Sequence, residues 1–236
     1  MSAGAQSFLE AYENTRHFEP FDSFNGTYTG EFNTLTGNPG EWSKVMGVFY
    51  QFDDILLGKR GIDGSAYLYD TWNNTGAVYL GKKVFKLNNI NYHIQESMFI
   101  TKLEKDSLFV FDFDLVDKIV INNRAFKRMY NAKEGKHIVY EIVHQTKDFS
   151  LLKQHSLTVV QSSPNPMVNR PKPKIRQSVN YYIAKGGVIQ DFKLKKSSVL
   201  GLVDKQKVSD LKAYMDRYNL SYKNDSDLQK AFINVL

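Results

Sequence analysis

Asp112 and Asp114, two residues apart in the run LFVFDFD, and the adjacent pair Asp53 and Asp54 are the side chains whose types could carry catalysis. Two carboxylates on one strand face can do acid–base work or hold a cation. The same alternation puts Phe109, Phe111 and Phe113 on the opposite face, which is the pattern of a strand buried on its aromatic side and solvated on its acidic side. The solvated reading takes precedence, and no catalytic residue is assigned.

Metal and cofactor chemistry is no better signalled. His17, His93, His137, His144 and His155 form no HExxH or H-x-H pair. His144 and His155 are expected to approach each other across a hairpin, but no third ligand accompanies them, so they are read as an ordinary hairpin pair. The absence of cysteine removes disulfides, thiolate metal sites and a cysteine nucleophile. No P-loop, GxGxxG, GxSxG or SxxK run occurs, and neither a metal nor a cofactor is expected.

Two sets of residues are suited to binding instead. Tyr67, Tyr69 and Trp72 could line a ligand cavity or stack on a sugar ring, set against the plainer reading of core packing and a turn. Arg170, Lys172, Lys174 and Arg176 punctuate a proline-rich stretch and could meet phosphate or an acidic partner. Residues 161–196 carry eight basic side chains against the single acid Asp191, so this region accounts for the formal net charge of +6. Charge held in one region is unlike the basic footprint of a nucleic-acid binder, and no nucleic acid is expected as a partner.

The elements that position these residues are mostly strands. From Gly64 to Arg128 the chain runs through short β-branched and aromatic segments: 66–69, 77–80, 84–87, 90–94, 98–101, 108–113, 118–121 and 126–129. Turn residues part them, including Asn88-Asn89 and Asn122-Asn123, as in successive antiparallel strands. Further strands are expected at 138–144 and 151–160, joined by a hairpin turn at 145–148. Four prolines between Pro164 and Pro173 preclude a central strand there and predict an extended basic loop over 162–174. Closing strands follow at 178–184 and 188–194 around Gly186-Gly187. An aromatic content of 14% suits such half-buried pleated surfaces.

Beyond Lys196 the pattern becomes helical. Asp204 is placed to cap a stripe of Val208, Leu211, Tyr214 and Met215, with Asn219 ending it, and Asp225 or Ser226 is placed to cap Leu228, Ala231, Phe232 and Val235. A further short helix is expected within 198–203. Such short helices need a surface to pack on. The organisation read from sequence is therefore a segment at 1–18, an antiparallel β domain at 19–195 and a helical tail at 196–236. The expected fold is mainly β, a curved sheet, sandwich or barrel-like body. No apolar run is long enough to span a membrane as a helix. Ala3 and Ala5 resemble the small-residue end of a secretory signal, which predicts a periplasmic or extracellular protein.

The run from Gly64 to Trp72, then Gly76, Val78, Leu87, Ile90, Tyr92, Ile94 and Phe126, resembles a unit recurring in exported, mostly uncharacterised proteins of Bacteroidota. Tyr140, Val143, Tyr181, Tyr182, the run from Lys195 to Leu200 and Leu228 extend the likeness over roughly residues 60–236. The resemblance implies export, no known catalytic residues, and a role such as accessory or plug of an outer-membrane channel. The leading expectation is thus a non-enzymatic exported binding or accessory protein whose partner is another protein. Two alternatives stand beside it: a carbohydrate- or lipid-binding β domain using Tyr67, Tyr69 and Trp72, and a hydrolase using Asp112 and Asp114.

Overall fold

The computed structural model describes residues 47–51, 62–81, 83–102, 107–161 and 173–236. The segment at 1–18, Asp53, Asp54, Arg170 and Lys172 lie outside the described residues.

The phenylalanine stripe builds the smaller of two sheets. In β6 (Ser107–Phe111), Phe109 and Phe111 turn inward while Leu108 and Val110 turn outward, and both sets are buried. Strand β6 pairs antiparallel with β1 (Gly47–Gln51) on one side and β5 (Met98–Lys102) on the other, and β5 pairs with β4 (Ile90–His93). The order is β1-β6-β5-β4. The strand ends earlier than its alternation predicts, although Phe113 stays buried in the same core. Asp112 and Asp114 sit in the turn after β6, where Asp112 Oδ1 accepts from the Asp114 amide at 3.0 Å. An aspartate closing on the backbone two residues on competes with the sheet ladder and stops the strand. Both carboxylates are exposed, as a solvated reading requires, and Asp114 pairs with Arg128.

The larger sheet has eight strands in the order β12-β11-β10-β9-β8-β7-β2-β3, and every neighbouring pair is antiparallel. Its strands are β2 (Gly76–Leu80), β3 (Lys83–Leu87), β7 (Lys118–Ile121), β8 (Arg124–Asn131), β9 (Lys136–Gln145), β10 (Ser150–Val160), β11 (Lys174–Lys185) and β12 (Val188–Phe192). The chain leaves this sheet at Asn88-Asn89, builds β4 to β6, and returns at β7 beside β2. Tight turns follow the residue chemistry. Asn122 and Asn123 have φ of 48° and 65°, and Gly186 and Gly187 have 55° and 81°, the left-handed geometry that matches the twist of two-residue hairpins. Where the sheets cross, Gly76 is required by contact: a Cβ there would lie 2.5 Å from Ile90 Cγ2 and 2.7 Å from the Val120 carbonyl.

The two sheets close on Val78, Phe85, Tyr92, Phe99, Phe111, Ile119 and Phe126, forming an open sandwich rather than a closed barrel. Tyr92 stacks on Phe99 with centroids 4.6 Å apart, and Phe126 meets Phe99 edge-on at 5.4 Å. Each such side chain contributes roughly 1.5–3 kcal/mol through burial, with ring–ring geometry adding to it.

Two predicted segments differ. Residues 66–69 form no strand. Tyr67 makes a single bridge to His93, and the Asn91 side chain takes the place of a ladder by accepting from the Tyr69 amide and donating to its carbonyl. Strand β11 begins at Lys174, four residues before the expected start, so Lys174 and Arg176 are strand residues and not part of a loop. Pro173 lacks an amide hydrogen and stands just outside the strand, where none is needed.

The tail packs on the same sheet face farther along. Helices α1 (Lys196–Leu200), α2 (Val208–Arg217) and α3 (Asp225–Val235), with a 3₁₀ turn at Lys205–Lys207, bury Val199, Leu211, Met215, Leu228 and Phe232 against Val143, Leu151 and Ile183. Asp204 precedes the 3₁₀ turn but makes no side-chain cap. Asn219, at φ 50°, ends α2 as expected, with the Leu220 amide reaching back to the Met215 carbonyl at 2.9 Å. The cap of α3 is Asn224, one residue earlier than predicted, accepting from the amides of Ser226 and Asp227 at 2.9 and 3.2 Å.

Candidate functional site

Register alone sets out the polar residues beneath the tail. Phe126 lies opposite Glu141, Glu141 opposite Lys153, and Lys153 opposite Tyr181, so four strands place one row of side chains on one face. Arg124 and His155 stand two residues along their strands on that face. Glu141 is the hub. It takes both Nε (2.7 Å) and Nη2 of Arg124, and His155 Nε2 lies 2.6 Å from its Oε2. Arg124 also meets the Tyr69 hydroxyl at 3.4 Å, which donates to the Ile121 carbonyl. Next along the row, Lys153 pairs with Asp225 at the start of α3 at 2.7 Å, and Tyr181 hydrogen-bonds the same carboxylate.

The electrostatics follow from burial and pairing. Burial alone would raise the Glu141 carboxyl, but hydrogen bonds from His155 and Arg124, and the charge of Arg124, overcome it and bring the pKa down to about 2. Burial works against the Arg124 cation as well, yet Glu141 raises its pKa above the ordinary value. Burial and then Asp225 push the Tyr181 hydroxyl well above its usual range. Every carboxylate in the row is thus held by a cation. The cluster is a satisfied seam between the sandwich core and the tail core.

A second site lies just beyond it. The β9–β10 pairing shifts register between Leu151 and Leu152: Leu152 faces Ile142, whereas Leu151 faces His144. One extra β9 residue, Val143, is therefore accommodated as a β-bulge. Without it, Val143 and His144 would point to opposite faces. With it, both turn toward the helices. Val143 joins the tail core, and the His144 ring lies 5.1 Å from the Phe232 ring and 6.5 Å from Phe149. Between the β9–β10 turn and the tail is a cleft of about 500 Å³, walled by His144, Thr146, Phe149, Leu202, Phe232 and Leu236, with Asp148, Asp204, Lys147 and Lys207 around them. That volume suits a small organic molecule. His144 Nε2 is buried without a hydrogen-bond partner, and burial lowers its pKa to about 4.

The predicted sites fall differently. Tyr67 meets Trp72 edge-on at 5.2 Å and His93 at 4.9 Å, and both Tyr67 and Trp72 pack on Ile100, Leu108 and Val110 outside the small sheet. Tyr69 leans on the sandwich core and on Arg124. None of the three lines the cleft. Lys174 and Arg176 are exposed strand residues, paired across the hairpin with Val160 and Thr158. His144 and His155 do not approach as a pair: His144 faces Leu151 and the tail, and His155 faces Glu141. Nor do the described residues contain three or more clustered His, Cys, Asp or Glu side chains able to hold a metal.

No protein-family model, curated protein or solved structure matches the chain. The functional reading therefore rests on this geometry. Sequence inspection singled out His144 but not its setting. The residues of β9 alone carry no signal of that setting, because the bulge exists only in the pairing with β10, where Leu151 lies opposite His144 and Leu152 opposite Ile142.

Proposed function

We propose that this protein is an exported binding or accessory protein that acts without catalysis, and that the cleft between the β9–β10 turn and the tail is its recognition site. The observation that carries the reading is the cleft itself: about 500 Å³, lined by apolar side chains such as Phe149, Leu202 and Phe232 together with polar ones such as Asn123, Gln145 and Gln229. A concave site of that size, with apolar surface and polar groups to orient what binds, has the dimensions of a small-ligand site. The acidic pair proposed for a hydrolase is solvated, and Asp114 is engaged by Arg128, which favours binding over acid–base chemistry.

A thermal-shift screen of a small-molecule library tests this reading. Ile233 lies on the cleft and is 46% exposed, so Ile233→Trp fills the opening from a position that tolerates a larger side chain. Compounds that raise the melting temperature of the wild-type protein are expected to lose their effect on this variant. Hits that persist unchanged would place recognition elsewhere. Association with an outer-membrane channel, which the resemblance implies, is tested by purifying the tagged protein from its own membrane fraction. A stoichiometric channel subunit is the expected companion, and a partner-free monomer would count against the accessory role.

A further inference from the structure

The large sheet ends on β12, which pairs with β11 on one side and with no strand on the other. Lys185 and Val188 flank the two-residue turn at Gly186-Gly187 and therefore exchange backbone hydrogen bonds. Antiparallel alternation then directs the amides and carbonyls of Val188, Gln190 and Phe192 toward β11, and those of Ile189 and Asp191 outward. Among the described residues, no other backbone group hydrogen-bonds either outward residue. The side chains along this edge set its chemistry. Val188 is 50% exposed and shares a face with Gln190 and Phe192. Lys185, Lys193 and Lys195 are exposed, and none is ion-paired with a described residue. Asp191, the one acid in this stretch, is already taken by Lys133. Unspent positive charge therefore surrounds a row of unused backbone donors and acceptors.

We infer that β12 is a docking edge for another protein, which adds an extended segment as a further strand, apolar beside Val188 and Phe192 and acidic at both ends. Ile189 and Asp191 supply the ladder, and Lys185 and Lys193 select the acidic ends, the division of labour in strand addition. A second copy of this chain fits less well. Paired antiparallel about Gln190, it would bring Lys195 toward Lys185, and like charges across strands oppose association. None of the edge residues lines the cleft, so the two sites can be tested apart.

The test is an amide NMR titration of the full chain, at low ionic strength, with the capped peptide Glu-Val-Thr-Val-Thr-Val-Glu. Its valines fall on the Val188 face, and its palindromic order serves either strand direction. The Ile189 and Asp191 amides are expected to shift and to become protected from exchange. The peptide with lysine in place of both glutamates is expected to bind about tenfold more weakly, the result of losing both end charge pairs. Methylating both threonine amides removes the ladder donors and should abolish binding. In the double variant Lys185→Glu, Lys193→Glu, both at exposed positions, the preference for the acidic peptide should disappear. Undiminished binding of the methylated peptide would overturn strand addition, and equal binding of the lysine peptide would overturn the acidic partner. Shifts that depend on protein concentration alone would give the edge to a second copy of the chain instead. No change at Ile189 and Asp191 at millimolar peptide would overturn the docking edge itself.

Discussion

One face of the large sheet is covered in two ways. Over β2, β3 and β7 the cover is a second sheet, whose alternation matches that beneath it, so Tyr92, Phe99 and Phe126 interlock ring on ring. Over β9 to β11 the cover is three short helices, whose side chains repeat at a different period from the strands below. There the surfaces meet at Leu211, Met215, Leu228 and Phe232 but leave a cleft beside the β9–β10 turn. Between the two stands the row from Arg124 to Asp225, in which the charges are paired. A matched pair of sheets fills its interface with side chains. A set of short helices closing on a bulged strand leaves room, and in this molecule that room is lined by apolar and charged side chains alike.

The largest effect is expected at the matched interface. Phe99→Ala removes a fully buried ring from the sandwich and should cost about 3–5 kcal/mol, with fluorescence and circular dichroism changing together in urea. Should the tail unfold first while the sandwich persists, the two covers would be less coupled than the shared sheet implies.

Breaking the seam comes next. Glu141→Gln leaves Arg124 without its carboxylate and is expected to cost about 3 kcal/mol at neutral pH. The sign with pH follows from the lowered pKa. Ionised Glu141 contributes stability that is present above its unfolded value near 4.5 and is lost as pH falls toward 2. The variant should therefore lack that part of the acid transition, and an unaltered acid limb would show that the network holds nothing in place.

His144 gives an effect on the order of 2 kcal/mol in a different window. Its folded pKa lies near 4 against an ordinary 6.5, so between those values the unfolded chain takes up a proton that the folded chain refuses. Stability should fall as pH drops from 6.5 to 4 and should fall less in His144→Phe, measured by chemical denaturation across the pH series. The smallest change expected is Asn224→Ala. It removes the α3 cap for about 1 kcal/mol and should raise amide exchange in α3 while leaving β2 and β7 protected.

Much of this architecture was legible in the sequence because strand alternation is short-ranged. The runs at 77–80, 84–87, 118–121 and 151–160 carry their own pattern, and the Asn122-Asn123 and Gly186-Gly187 turns carry their backbone geometry in their residue types. The misreadings have local causes that periodicity does not register. Asp112 ends a strand by capping its own turn, and the Asn91 side chain replaces a ladder at Tyr69. The start of β11 follows Pro173 directly, where proline density predicts loop. The site was less legible still. His144 faces the tail because of a bulge defined by its partner strand, and the cleft is formed by a helix some ninety residues away in the chain. Aromatic richness pointed instead to Tyr67, Tyr69 and Trp72, whose rings close a satellite core and rest on the sandwich.

The central claim is that the loosely covered half of the sheet binds and the tightly covered half does not. Methyl-labelled NMR spectra recorded with a small-molecule library test it most directly, because both halves supply reporters: Val143, Leu202, Val203 and Leu236 around the cleft, and Val78, Ile119 and Ile121 in the sandwich. Shifts confined to the first group are predicted. Shifts centred on the second group, or none in either, would contradict the account.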